Sequence, residues 1–158
     1  MDFSLTNEQK MIIDTLKTFV EQELYPHEME VEKTNQIRPE LAAQIKQKAL
    51  DLGLYAANMP EEHGGAGLDT LTLCLMEREL GRANFGLQYI VARPSNILLA
   101  CKGDQIENYL LASIRGDKVD CLAMTEPNAG SDVRSMQCRA ERDGDGFVIN
   151  GTKHFISH

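Results

Sequence analysis

Ten consecutive residues, Ala123-Met124-Thr125-Glu126-Pro127-Asn128-Ala129-Gly130-Ser131-Asp132, hold the densest chemistry in this 158-residue chain. An apolar run over 119–124 stops at the hydroxyl of Thr125, then meets a proline and a small-residue turn ending Gly-Ser-Asp. That order predicts a hydroxyl at a strand end. It also predicts free backbone N–H groups, with the Ser131 hydroxyl among them, in a tight loop beside it. Ala129 and Gly130 offer little side chain to obstruct an anion or a flat polar ring. The same residue types are ordinary turn chemistry capping a strand, and spacing alone does not choose between the two readings.

Other candidate groups form no constellation. His27, His63, His154 and His158 are scattered, and neither His-x₃-His nor Cys-x₂-Cys spacing occurs, so no metal site is expected. Cys74, Cys101, Cys121 and Cys138 show no paired spacing and read as reduced, mostly buried thiols of a reducing compartment. Ser131 has no evident His/Asp partners for a hydrolase triad. Glu61 and Glu62 are adjacent and read as a solvated loop. The Gly64-Gly65-Ala66-Gly67 run lacks a preceding strand and is a structural turn rather than a dinucleotide fingerprint.

The elements that must position these residues change character near residue 118. Before it the chain reads as helices. Thr6 and Gln9 fit a capping box, and Ile12, Leu16, Phe19, Val20 and Leu24 share one face until Pro26 ends the helix. A second helix opens at Pro39, buries Leu41, Ile45, Ala49 and Leu52, and stops at Gly53. A third runs from Asp69 to Gly81 with Leu73, Met76 and Leu80 inward. A fourth covers 94–102. A last one is capped by Asp104 and Glu107, turns Ile106, Tyr109, Leu110 and Ile114 inward, and closes at Gly116. Residues 84–93 carry no clear signal. Beyond 118 the expected pattern is a strand over 119–125 and a half-buried strand with Met136, Cys138 and Ala140 inward. A hairpin turn at 143–146, a return strand at 147–149, an Asn150-Gly151 turn and a third strand over 152–157 follow.

Hydrophobic residues make up 42% of the chain and charged residues 25%, enough for a real core. A formal net charge of −8 argues against non-specific nucleic-acid binding, although a local basic patch can still hold an anion. No apolar run reaches membrane-spanning length. The N-terminus has no basic segment followed by an apolar stretch, so the chain is not expected to be secreted.

Three ordered motifs carry a resemblance. The 123–132 run is similar to the flavin-loop signature of the acyl-CoA dehydrogenases. Asn150-Gly151-Thr152-Lys153-His154-Phe155-Ile156-Ser157 resembles the second flavin segment of that family, and Met59-Pro60-Glu61-Glu62-His63-Gly64-Gly65-Ala66-Gly67 resembles the Pro-Glu-Glu loop of its helical domain. The resemblance implies an α+β chain. An all-α helical bundle over 1–117 would be followed, over 118–158, by the first strands of an antiparallel, barrel-like middle domain. The final helical domain of the family would be absent.

The resemblance further implies FAD as cofactor, an acyl-CoA thioester as substrate and an electron-transferring flavoprotein as electron acceptor. It also implies a homo-oligomer, placed in the cytoplasm of a bacterium or the mitochondrial matrix of a eukaryote. Leu122 and Met124 would line the flavin wall, Thr125 would bond its polar edge, and Gly130 and Ser131 would present N–H and hydroxyl groups. Ser131 would also touch the coenzyme A portion of the substrate. Phe155 would stack on the ring where many members carry Trp, with Ile156 beside it and Ser157 where Thr is frequent. His154, alternating with Phe155, should point away from the flavin. The family's catalytic base comes from its last helical domain, so no catalytic residue is assigned within 1–158, and Glu126 reads as structural. The short chain is expected to be inactive alone. Two other readings stay open: a short flavin- or acyl-CoA-binding paralogue without turnover, and a helical interaction module.

Overall fold

The first helix, α1 (Asn7–Phe19), begins where the capping box predicts: the Gln9 N–H donates to the Thr6 hydroxyl and the Thr6 N–H to the Gln9 side chain, both at 3.1 Å. Ile13, Leu16 and Phe19 are buried, while Ile12 is only half-buried. Pro26 does not end the helical run. The backbone widens into a π-helical turn over Val20–Leu24 and continues as α2 (Tyr25–Thr34), with Pro26 in the first turn of α2. The wide turn accommodates the missing N–H and the bulky ring, which a continuous α ladder could not. Asn35 then reverses the chain at φ +51°. The computed structural model describes residues 4–91 and 93–156.

Helix α3 (Pro39–Asp51) buries Leu41, Ile45 and Ala49 as expected. Leu52 is exposed instead, because the helix ends at that residue and Gly53, at φ +68°, turns the chain away. The following loop contributes a part of the core that periodicity could not reveal: Leu54, Tyr55, Ala56, Ala57 and Met59 are all buried. It is closed by bonds from the Gly67 N–H to the Met59 carbonyl (2.8 Å) and from the Leu68 N–H to the Ala57 carbonyl (3.0 Å).

Asp69 caps α4 (Thr70–Leu80) by accepting the Thr72 N–H at 3.0 Å. Met76 and Leu80 are buried and Leu73 half-buried. Glu79 is buried as well. Burial opposes its charge, but the guanidinium groups of Arg78 (2.7 Å) and Arg82 (3.3 Å) outweigh that and lower its carboxyl. A short α5 (Phe85–Tyr89), capped by Asn84, fills the segment that carried no signal.

The expected helix over 94–102 reduces to a 3₁₀ turn, Asn96–Ala100. Ahead of the last helix the Gln105 side chain accepts the Lys102 N–H at 3.1 Å, and the Asp104 cap does not form. The helix is π-wound over Ile106–Leu111 before α6 (Ala112–Ile114). The wider winding rotates Tyr109 into solvent and leaves Ile106 half-buried, while Leu110 and Ile114 stay inside. One apolar cluster joins α1, α2, α3, α4, α5, the 54–59 loop and the last helix. Among the described residues no helix is long and apolar enough to cross a membrane.

The chain divides into a unit Met1–Val119, which holds all of the above, and a second unit Asp120–His158. In the second, β1 (Arg139–Asp143) pairs antiparallel with β2 (Gly146–Asn150) in the register Arg139↔Asn150 to Asp143↔Gly146. Gly144, at φ +58°, opens the two-residue turn between them.

Three expectations fail in this unit. Residues 119–125 form no strand, because the single backbone bond they receive from 150–156, from the His154 N–H to the Thr125 carbonyl, does not extend into a ladder. The strand expected from Met136 starts only at Arg139, and every residue of both strands is exposed, so the half-buried alternation is absent. Residues 152–156 are not a third strand, and Asn150-Gly151 is not a hairpin turn. Gly151, at φ +144°, instead lets the end of β2 close onto Cys138, where an added Cβ would stand 2.7 Å from the Cys138 Cα. The result is an open two-stranded sheet. The thiols are also less buried than expected: Cys74 and Cys121 are exposed, Cys101 and Cys138 half-buried.

Candidate functional site

The residues singled out by the sequence come together in the second unit around Glu126. Its own N–H and carbonyl pair with the carbonyl and N–H of Ala129, at 3.0 and 3.1 Å, and so close the Pro127-Asn128 turn. Its side chain turns inward. One carboxylate oxygen accepts the Gln137 N–H at 2.7 Å. The other accepts the Cys138 N–H and the Lys153 ammonium, each at 2.9 Å. The Gln137 N–H, then the Lys153 ammonium, with the Cys138 N–H also helping, outweigh burial and hold this carboxyl down to about 2. A group so thoroughly bonded stays an anion, which agrees with a structural role rather than that of a proton acceptor.

Lys153 also donates to the Met124 carbonyl at 3.0 Å, and the next residue, His154, donates its N–H to the Thr125 carbonyl at 2.9 Å. The two motif stretches, 123–132 and 150–156, are therefore laced side by side. Asp132 organises the far end of the first stretch by accepting the Arg134 N–H and the Ser135 hydroxyl. A pocket of about 230 Å³ lies among Glu126, Pro127, Asn128, Gln137, Cys138, Gly151 and Thr152.

Around this knot the remaining candidate residues are open. Leu122 and Met124 are exposed and Thr125 is half-buried. Gly130 and Ser131 are exposed, and a Cβ added at Gly130 would meet nothing within 4 Å. Phe155 is 90% exposed at φ +54°, a strained setting for an aromatic residue. That φ breaks the strand alternation, so His154 and Phe155 do not point apart. Their rings meet edge to face at 5.5 Å. Ile156 is partly open, and Ser157 lies outside the described residues. The groups that sequence reasoning missed are Lys153 and the Gln137 and Cys138 N–H donors. Only the charge opposition of Glu126 and Lys153 hinted at them, and many such pairs exist in the chain.

In the first unit a trough of about 620 Å³ between α1 and α3 is lined by Phe19, Leu52, Asp14, Asp51 and the Lys48–Glu23 ion pair. Among the described residues no group of three or more His, Cys, Asp or Glu could hold a metal.

This arrangement, a capped helical unit followed by a polar loop laced to an open hairpin, coincides with two family models. Residues 6–117 match the acyl-CoA dehydrogenase N-terminal domain, and residues 121–158 match the acyl-CoA dehydrogenase middle domain. The chain belongs to the acyl-CoA dehydrogenase family. Among its relatives is a Bacillus subtilis protein described as "Probable acyl-CoA dehydrogenase YngJ", 36% identical over 163 residues, covering 100% of this chain and 42% of that protein.

Two solved structures share the fold. The FAD complex of PigA superimposes with a TM-score of 0.81 at 28% identity, over 99% of this chain and 42% of that one. A chain from the structure described as the electron transferring flavoprotein of Acidaminococcus fermentans does so with a TM-score of 0.79 at 32% identity, over 99% and 41%. The chain thus spans less than half the length of these proteins.

Proposed function

We propose that this chain supplies the helical domain and the first part of the flavin seat of an FAD-dependent acyl-CoA dehydrogenase, with the domains divided at 117/118. The carrying observation is the lacing of the two motif stretches: the His154 N–H meets the Thr125 carbonyl at 2.9 Å, so a flat ring can contact both stretches at once. The residues fit a flavin. Gly130 leaves open space for a close approach of backbone N–H groups, and Phe155 offers an uncovered aromatic face held at φ +54°.

The Thr125 hydroxyl would bond the polar edge of the ring. Leu122 and Met124 would line one wall, with Ile156 and Ser157 beside the stacking face of Phe155. Gly130 and Ser131 would direct N–H and hydroxyl donors at the cofactor, and the Ser131 hydroxyl also at the coenzyme A portion of an acyl thioester. FAD, when bound, supplies the two-electron acceptor for α,β-dehydrogenation of that thioester. The chain's own part is to bind and orient. No group within 1–158 is assigned as the base that removes the α proton.

The partner that takes up the electrons is an electron-transferring flavoprotein, a reading supported by the Acidaminococcus fermentans likeness. The assembled protein is a homo-oligomer of an intracellular compartment, the bacterial cytoplasm or the mitochondrial matrix. The test is titration of the chain with FAD, followed by flavin fluorescence quenching and by the visible band shape. Saturable quenching that Phe155→Ala weakens supports the seat, and fluorescence identical to free FAD at every protein concentration overturns it.

A further inference from the structure

We propose that Lys153 is a positioning residue: its ammonium grips the Met124 carbonyl and the Glu126 carboxylate together, and this clasp sets the spacing between Thr125 and Phe155. The inference rests on the flavin reading above for its functional meaning, while the clasp itself is a property of the chain.

The second unit has almost nothing else to hold its loops. Both strands are exposed along their whole length, and only Glu126 and Ala129 are buried among its described residues. An apolar core cannot fix the loop geometry there, so a polar knot must. Three stretches meet at one carboxylate: 124–126 through the residue itself, 137–138 through two backbone N–H donors, and 153–154 through the lysine.

An ammonium has three protons and no acceptor. Lys153 places them toward Met124 O at 3.0 Å, Glu126 Oε1 at 2.9 Å and Met136 Sδ at 3.5 Å, so it spends its donors on the protein and not on a ligand. The pair is also more sheltered than the exposed ion pairs of the chain, and among the described pairs only Glu79, held by Arg78 and Arg82, has an equally covered carboxylate. The Lys153 side chain is 24% exposed and that of Glu126 6%, whereas both partners in Arg38–Glu30 and Arg115–Glu107 are at least 41% exposed. An exposed pair contributes little, but removing one member of a sheltered pair strands the other charge.

The geometry then transmits to the seat. Thr125 lies between the two groups that Lys153 holds, and its carbonyl is fixed by the very next residue, His154. Phe155 follows directly. Gly151 completes the clasp by closing on Cys138 two residues before the lysine, where any side chain would collide.

Amide hydrogen exchange on the flavin-free chain reads the clasp directly. In Lys153→Met, exchange at the Gln137, Cys138 and His154 N–H groups rises by about tenfold or more, while the amides of Leu16 and Ile45 keep their rates. Lys153→Arg restores most of the protection, because a guanidinium keeps the charge and can reach the carboxylate although its planar fork fits the Met124 carbonyl less well. Glu126→Gln gives the same direction and serves if Lys153→Met does not fold.

FAD titration reads the consequence. Lys153→Met weakens binding by about tenfold and returns the visible band toward that of free flavin, and Lys153→Arg recovers both. Unchanged exchange in Lys153→Met and Glu126→Gln overturns the clasp. Lost protection with unchanged FAD affinity and spectrum overturns its positioning role. Failure of the unaltered chain to take up FAD sinks the flavin reading instead, and the exchange arm still decides whether the clasp exists.

Discussion

Replacing Gly65 by alanine tests the helical unit most sharply. A Cβ at this position would stand 2.1 Å from the Met59 carbonyl oxygen, 2.5 Å from its carbonyl carbon and 2.6 Å from its Cβ. Ordinary contact begins at 3.4 Å, so the two backbones must separate by more than an ångström. Met59 is fully buried and cannot yield toward solvent. Separation breaks the bond from the Gly65 N–H to the Pro60 carbonyl (3.0 Å) and that from the Gly67 N–H to the Met59 carbonyl (2.8 Å). Each lost bond costs about 1 kcal/mol net, and a buried carbonyl left unpaired adds a further ~1–3 kcal/mol. The expected loss is therefore about 3–5 kcal/mol.

Urea denaturation followed by far-ultraviolet circular dichroism measures it, since the helical unit dominates that signal. Gly103→Ala is the control. Gly103 has a positive φ (+54°), which Gly65 does not, and has nothing within 4 Å of the added Cβ, so its substitution meets conformational strain alone. It should cost about 1 kcal/mol. If Gly65→Ala comes within ~0.5 kcal/mol of the unaltered chain, or matches the control, the argument from close backbone approach is wrong.

Ile45→Ala removes a fully buried side chain from α3 and should cost about 2–5 kcal/mol in the same assay. Thr6→Ala deletes the first half of the capping box and should cost about 1 kcal/mol. The Glu126 carboxyl should titrate near 2, read from the amide shifts of Gln137 and Cys138, and a midpoint near its ordinary 4.5 would contradict its bonding. Because its folded value lies below the ordinary one, this group adds stability that is fully present above pH 4.5 and is lost as the pH falls through about 2. Gly130→Ala meets open space and should leave stability within ~0.5 kcal/mol, yet weaken FAD binding by about tenfold if the backbone there approaches the cofactor.

The helical half was legible where local chemistry decides. The Thr6/Gln9 capping box, Pro39 in a first turn, the opening of a helix at Asp69 and the stripe Leu41, Ile45, Ala49 all appear as the residue pattern requires, because each is settled within a turn or two of helix. Local reading failed where the helix left the α register. The π-helical turn at Val20–Leu24 carries the chain past Pro26, and the one at Ile106–Leu111 rotates Tyr109 outward, and neither has a signature in composition.

The loop 54–59 shows the same limit, since its burial comes from neighbours distant in sequence. Strand propensity was real over 119–125 and 152–156, yet a strand exists only with a partner, and among the described residues a continuous ladder forms only between β1 and β2.

For the site, residue order alone named the two stretches and the family whose models match them. Their adjacency was a tertiary decision. It rests on one buried carboxylate, one lysine and the His154 N–H, contacts that span up to 29 residues and that no local preference encodes.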